Sequence, residues 1–111
     1  MPSLPSEARG VLHLVVASPL RSSALGEVLA LCRPQDSVVL MQDAAPAAVA
    51  AVTLPGDAAL RLSRVRAYVV NADLAARGLA DAHLRDGLLA IGYADLVDLV
   101  ASHPLSQTWT A

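Results

Sequence analysis

Four stretches of the chain are almost continuously apolar: residues 11–17, 38–41, 65–70 and 88–92, the third broken only by Arg66. Each has the length of a strand, and the first is rich in β-branched residues. Continuous rather than alternating hydrophobicity is the pattern of a parallel strand covered on both faces. Between them the spacing changes. Leu25, Val28, Leu29 and Cys32 fall at i, i+3, i+4 and i+7, one stripe of a helix over about residues 22–32, with Ser22 or Ser23 as its cap. The alanine-rich segment 44–52 reads as a short helix, with Pro46 in its first turn. Residues 54–63 read as a loop that carries at most a helical turn, and 80–87 as irregular. Leu96, Val97, Leu99 and Val100 give a last helix its buried face, and Pro104 stops it. Residues 105–111 are left as a tail.

The most informative local stretch is residues 68–79, a buried strand that turns directly into a short helix. Asn71 is placed to cap that helix and Asp73 to complement its dipole. Gly78 stands where a left-handed residue ends it, with Leu74 and Leu79 in the two positions that touch across a Schellman motif. Strand–helix alternation with short connections predicts a single small α/β domain over residues 11–111 behind a flexible leader, 1–10. The sheet is expected to be open, mainly parallel and four-stranded, with helices on both faces and a flavodoxin-like strand order 2-1-3-4.

Composition narrows the function more than the fold. The chain has 111 residues, 55% hydrophobic and only 16% charged, an apolar balance that predicts surface committed to a partner. Net charge is −2, with no lysine, so no basic footprint for nucleic acid is present. No apolar run reaches the length of a membrane span, and the first ten residues lack the pattern of a signal peptide, so a cytoplasmic protein is the expectation. No Gly-x-Gly-x-x-Gly or P-loop lysine exists to hold a phosphate, and no cofactor is implied.

Cys32 is the only cysteine and hence the only candidate nucleophile. A reactive thiol needs an electropositive, accessible setting. The last turn of a helix, on its apolar stripe, is the opposite, and Arg33 is the single mitigating neighbour. Cys32 therefore reads first as a core or interface cysteine. His13, inside an apolar strand, reads as a satisfied buried histidine, and His103 as a partner of a helix C-terminus. His83 has no evident partner. The three histidines lie on elements too different to propose a metal site. Asp43 and Asp95 end strands near the carboxyl edge, where a carboxylate either binds ligand or caps a helix.

Several of these residues also follow one another in the order of a known family. Leu12-His13 with Ser18-Pro19, Val39-Leu40-Met41-Gln42-Asp43, the stretch 68–79, Tyr93-Ala94-Asp95-Leu96-Val97, then His103-Pro104, Gln107 and Trp109 resemble the DsrH/TusB family of sulfur-relay subunits. The resemblance implies a DsrEFH-like α/β fold. It further implies a heterohexamer with homologous DsrE/TusD-like and DsrF/TusC-like subunits; the apolar composition adds the expectation that the chain self-associates when alone. In such complexes persulfide sulfur passes between cysteines, toward 2-thiouridine in tRNA or within sulfur oxidation, and the principal cysteine belongs to the DsrE/TusD-like subunit. Counted from Ser18-Pro19, the cysteine of DsrH-type members falls on Val28, so Cys32 is one turn away and the chain is closer to the cysteine-free TusB type. The expected role is structural and partner-organising, without direct contact to nucleic acid. Arg77, His103 and Trp109 are the interface candidates. The alternatives are direct persulfide carriage by Cys32 and a free-standing α/β binding module.

Overall fold

The computed structural model describes residues 10–110, so the leader expected over 1–10 lies almost wholly outside the described residues. The elements run β1 (Val11–Val15), α1 (Ala24–Leu31), β2 (Ser37–Leu40), a 3-10 helix (Gln42–Ala48), α2 (Ala58–Leu62), β3 (Arg66–Val70), α3 (Asn71–Ala76), β4 (Leu88–Ile91), α4 (Tyr93–Ser102) and β5 (Leu105–Trp109). The apolar runs are the first four strands, as their pattern predicted.

Two features differ from the expectation. The sheet has five strands, not four, because the tail from Leu105 to Trp109 pairs along β1. Its order is β4-β3-β2-β1-β5 rather than 2-1-3-4, and every pair is parallel. The tail escaped detection because Leu-Ser-Gln-Thr-Trp lacks the apolar run of a covered strand, and as an edge strand it stays largely exposed.

The order explains the layers. From β1 to β4 each crossover steps the same way, so right-handed connections put α1, the 3-10 helix, α2 and α3 on one face. The step from β4 to β5 runs back across the whole sheet, which sends α4 to the other face. The cores follow this division. Val15, Val38, Leu40 and Val69 pack with Val28 and Leu29 of α1 and Leu62 of α2. Leu12, Val39, Val70 and Ile91 pack with Leu99 of α4. Full burial of each such side chain contributes about 1.5–3 kcal/mol. One ten-residue helix cannot cover five strands, and the α4 face is the thinner one.

Local signals were read partly correctly at the β3–α3 junction. Gly78 lies at φ +71°, Leu79 N–H donates to the Leu74 carbonyl at 2.8 Å and Gly78 N–H to that of Ala75 at 3.1 Å, the two bonds of a Schellman motif. Asn71 is not the cap: α3 starts straight from Val70, with no side-chain cap bond. Asp73 instead accepts the backbone N–H of Gln42 at 2.8 Å. That bond helps hold Gln42 at φ +51°, a conformation uncommon outside glycine. At the other end of the helix Arg77 donates to Asp43 Oδ1 at 2.9 Å and to the Asp73 carbonyl at 3.0 Å. The carboxyl edge of the sheet is thus latched by side chains from two consecutive crossovers.

Candidate functional site

At the opposite, amino edge the fold collects its chemically capable side chains. His13 leaves the middle of β1 on the α1 side of the sheet. Asp36 ends the turn before β2, and the two are buried to 5% and 2% exposure. A buried carboxylate needs several donors, and Asp36 has them. It accepts the backbone N–H of Val11 at 2.8 Å, that of Arg33 at 3.0 Å, and His13 Nε2 at 3.3 Å. The exposed Arg33 guanidinium lies 3.5 Å away. Burial opposes the charge on Asp36, but these N–H groups and the Arg33 cation outweigh it and hold the carboxyl below its usual range.

Trp109 completes the set. Its indole N–H donates to His13 Nδ1 at 3.1 Å, the two rings lying 5.9 Å apart at a 49° tilt. An indole can only donate, so Nδ1 is the acceptor and the proton of His13 sits on Nε2, facing Asp36. A chain of hydrogen bonds therefore runs Trp109, His13, Asp36, and joins β5, β1 and the turn before β2. Among the described residues, no buried side-chain polar atom is left without a partner.

Cys32 lies beside this chain. It is not in the last turn of α1 but just past it, as an extended C-cap residue, half-buried against the core. Burial and the Asp36 carboxylate push its thiol up to about 11, with Arg33 acting weakly the other way. On its open side Cys32 lines a cleft of about 420 Å³ with Arg33, Arg61 and Arg64, of which Arg61 is paired with Asp57 at 2.9 Å.

The other candidates are dispersed. Arg77 belongs to the latch at the carboxyl edge. His103 is buried under α4, where Nδ1 donates to the Leu99 carbonyl at 2.7 Å and Nε2 accepts from Ser37 Oγ at 3.1 Å. It closes one of the open carbonyls of the helix end. Asp95 caps α4, accepting the Gly92 N–H at 3.2 Å. His83 is exposed in the loop before β4. Periodicity could not have found Asp36, which is 23 residues from His13 and on no helical or strand pattern with it. The signal available was chemical: a histidine between Leu12 and Leu14 requires a buried acceptor, and Asp36 opens a strand that lies beside its own.

The α4 face carries a second feature. Val97 and Val100, expected on the buried face of the last helix, instead point outward with Tyr93 at i, i+4 and i+7, at 66%, 43% and 57% exposure, and only Leu99 of the expected face is fully buried. Leu89 on β4 is also exposed, in register with half-buried Tyr68 of the core under α4.

Comparison with known proteins places the chain. The family model of DsrH-like proteins matches residues 17–106. Protein TusB of Escherichia coli is 31% identical over 102 residues, which covers 89% of this chain and all of that protein. Protein TusB of Pectobacterium atrosepticum is 32% identical over 101 residues with the same coverage. The YchN protein of E. coli shares the fold at TM-score 0.76 and 20% identity, covering 91% of this chain and 99% of its own. Protein Tm0979 of Thermotoga maritima superposes at TM-score 0.59, with 20% identity, over 82% of this chain and 91% of its own.

Proposed function

The chain belongs to the family of DsrH-like proteins, and from that premise we propose that it is a TusB-like, partner-organising subunit of a sulfur-relay complex. Its partners are homologous DsrE/TusD-like and DsrF/TusC-like subunits, and the sulfur it helps deliver goes to tRNA 2-thiouridine or enters sulfur oxidation. The observation that carries this reading is the outward stripe Tyr93, Val97, Val100 of α4. Large apolar side chains repeated at helical spacing on the thinly covered face are what an obligate interface uses, since such interfaces resemble a core cut in half.

The setting of Cys32 supports a role other than sulfur carrier. A thiol pushed up to about 11 is almost wholly protonated at neutral pH, and the thiolate is the nucleophile. The sulfur-bearing cysteine is accordingly assigned to a partner. Two variants test the division of labour in the co-expressed complex. Cys32→Ser is expected to leave sulfur transfer intact, and Val97→Asp to leave the isolated chain folded but to abolish copurification of the partners. Loss of transfer in Cys32→Ser with assembly preserved would overturn the assignment.

A further inference from the structure

We infer that His13, Cys32 and Asp36 form a binding site for a single Zn²⁺-like divalent transition metal ion, whose occupancy is coupled to the hydrogen bond that Trp109 of β5 makes to His13. The three residues come from β1, the end of α1 and the turn before β2, yet one donor atom of each lies within 4.8 Å of the others. Imidazole, thiolate and carboxylate are the donor types of zinc, whereas magnesium and calcium take oxygen alone. With metal–ligand bonds of about 2.0–2.3 Å, tetrahedral donors stand roughly 3.3–3.8 Å apart. His13 Nε2 and Asp36 Oδ2 already stand at 3.3 Å, within that range, and the Cys32 Sγ lies within 4.8 Å of them. That side chain is half-buried and borders the cleft, which supplies the entry path and leaves a fourth position for water or an external thiol.

The supports of the first ligands are built in. The Val11 and Arg33 backbone N–H groups orient Asp36. Such outer contacts fix ring and carboxylate orientation in metal sites. The ion would displace the contact of Asp36 Oδ2 with His13, the longest of the three hydrogen bonds that Asp36 accepts. One thiolate and one carboxylate balance its charge.

The coupling follows from proton balance. Binding expels the Cys32 thiol proton to solvent. The ion takes the lone pair of His13 Nε2, so the proton now on Nε2 moves to Nδ1. There it meets the Trp109 N–H, two donors face each other, and the indole must let go. Trp109 lies in the edge strand and is the only tryptophan in the chain. Its emission therefore reports the event.

The test is titration of the purified full chain with Co²⁺, followed by displacement with Zn²⁺. This measurement uses the chain alone, so it stands or falls separately from the assembly reading. One equivalent of Co²⁺ is expected, with thiolate-to-cobalt charge-transfer absorption, release of one proton, and a change in Trp109 emission that saturates at the same stoichiometry. Cys32→Ala should weaken binding by more than about tenfold, the scale on which even outer-shell changes act, and should remove the charge-transfer band. Binding without that band, binding unaffected by Cys32→Ala, unaltered Trp109 emission, or no binding at all would each overturn the proposal.

Discussion

Replacing Asp36 by alanine should unfasten the amino edge of the sheet. The side chain is 2% exposed and accepts three hydrogen bonds, two of them from backbone N–H groups at 2.8 and 3.0 Å. Alanine leaves those donors and the Nε2 proton of His13 without an acceptor. Each orphaned buried donor costs about 1–3 kcal/mol. The costs overlap, because the loosened segment can admit water, and the expected loss is about 3–5 kcal/mol, the range for breaking a buried pair. Against a typical domain stability of about 5–15 kcal/mol this is a severe change. Asp36→Asn keeps one acceptor oxygen but turns an NH₂ group toward a donor, and should lose roughly half as much. Equilibrium urea unfolding, followed by circular dichroism and by Trp109 emission, measures both. The carboxyl is held below its unfolded value, so between the two values the unfolded chain binds more protons and stability rises with pH. Its contribution is present above about pH 4 and is lost as pH falls through the folded value. Asp36→Ala should therefore flatten part of the acid limb of the stability curve. A loss under about 1 kcal/mol, with an unaltered acid limb, would refute the view that this carboxylate holds β1, α1 and β2 together.

The remaining predictions concern single features. Gly78→Ala should cost about 1 kcal/mol in thermal or urea unfolding, from the φ of +71° alone, because nothing lies within 4 Å of the added Cβ. Cys32 should react with iodoacetamide far more slowly than a free thiol at neutral pH and accelerate only as pH approaches about 11; rapid labelling at neutral pH would contradict the burial argument. Val97→Asp should change urea stability by less than about 0.5 kcal/mol, since the side chain is 66% exposed, while its effect on assembly is complete.

What the sequence revealed divides along the range of the interactions. β1 to β4 were legible because strands covered on both faces must be apolar throughout, and the Schellman turn at Gly78 was legible because its parts lie within six residues of one another. The five-stranded sheet was not. Residues 105–109 have no apolar run, and their pairing with β1 spans nearly the whole chain. The strand order also failed: local pattern says that crossovers exist but not which way each steps. Asn71 was misread as a cap because capping preference is local, whereas the neighbouring Asp73 is claimed by Gln42 from the preceding crossover. The same limit hid the site. His13, Cys32 and Asp36 are ordinary one by one, and only the fold brings a donor atom of each within 4.8 Å of the others.

The central claim is that this chain works as an organising subunit rather than as a chemical one, and its most direct test is the mass of what it forms. The chain and its two homologous partners, co-expressed and purified through a tag on this chain, should give by light scattering a single species with the mass of a hexamer of paired heterotrimers. A stable monomer that ignores both partners would contradict the account.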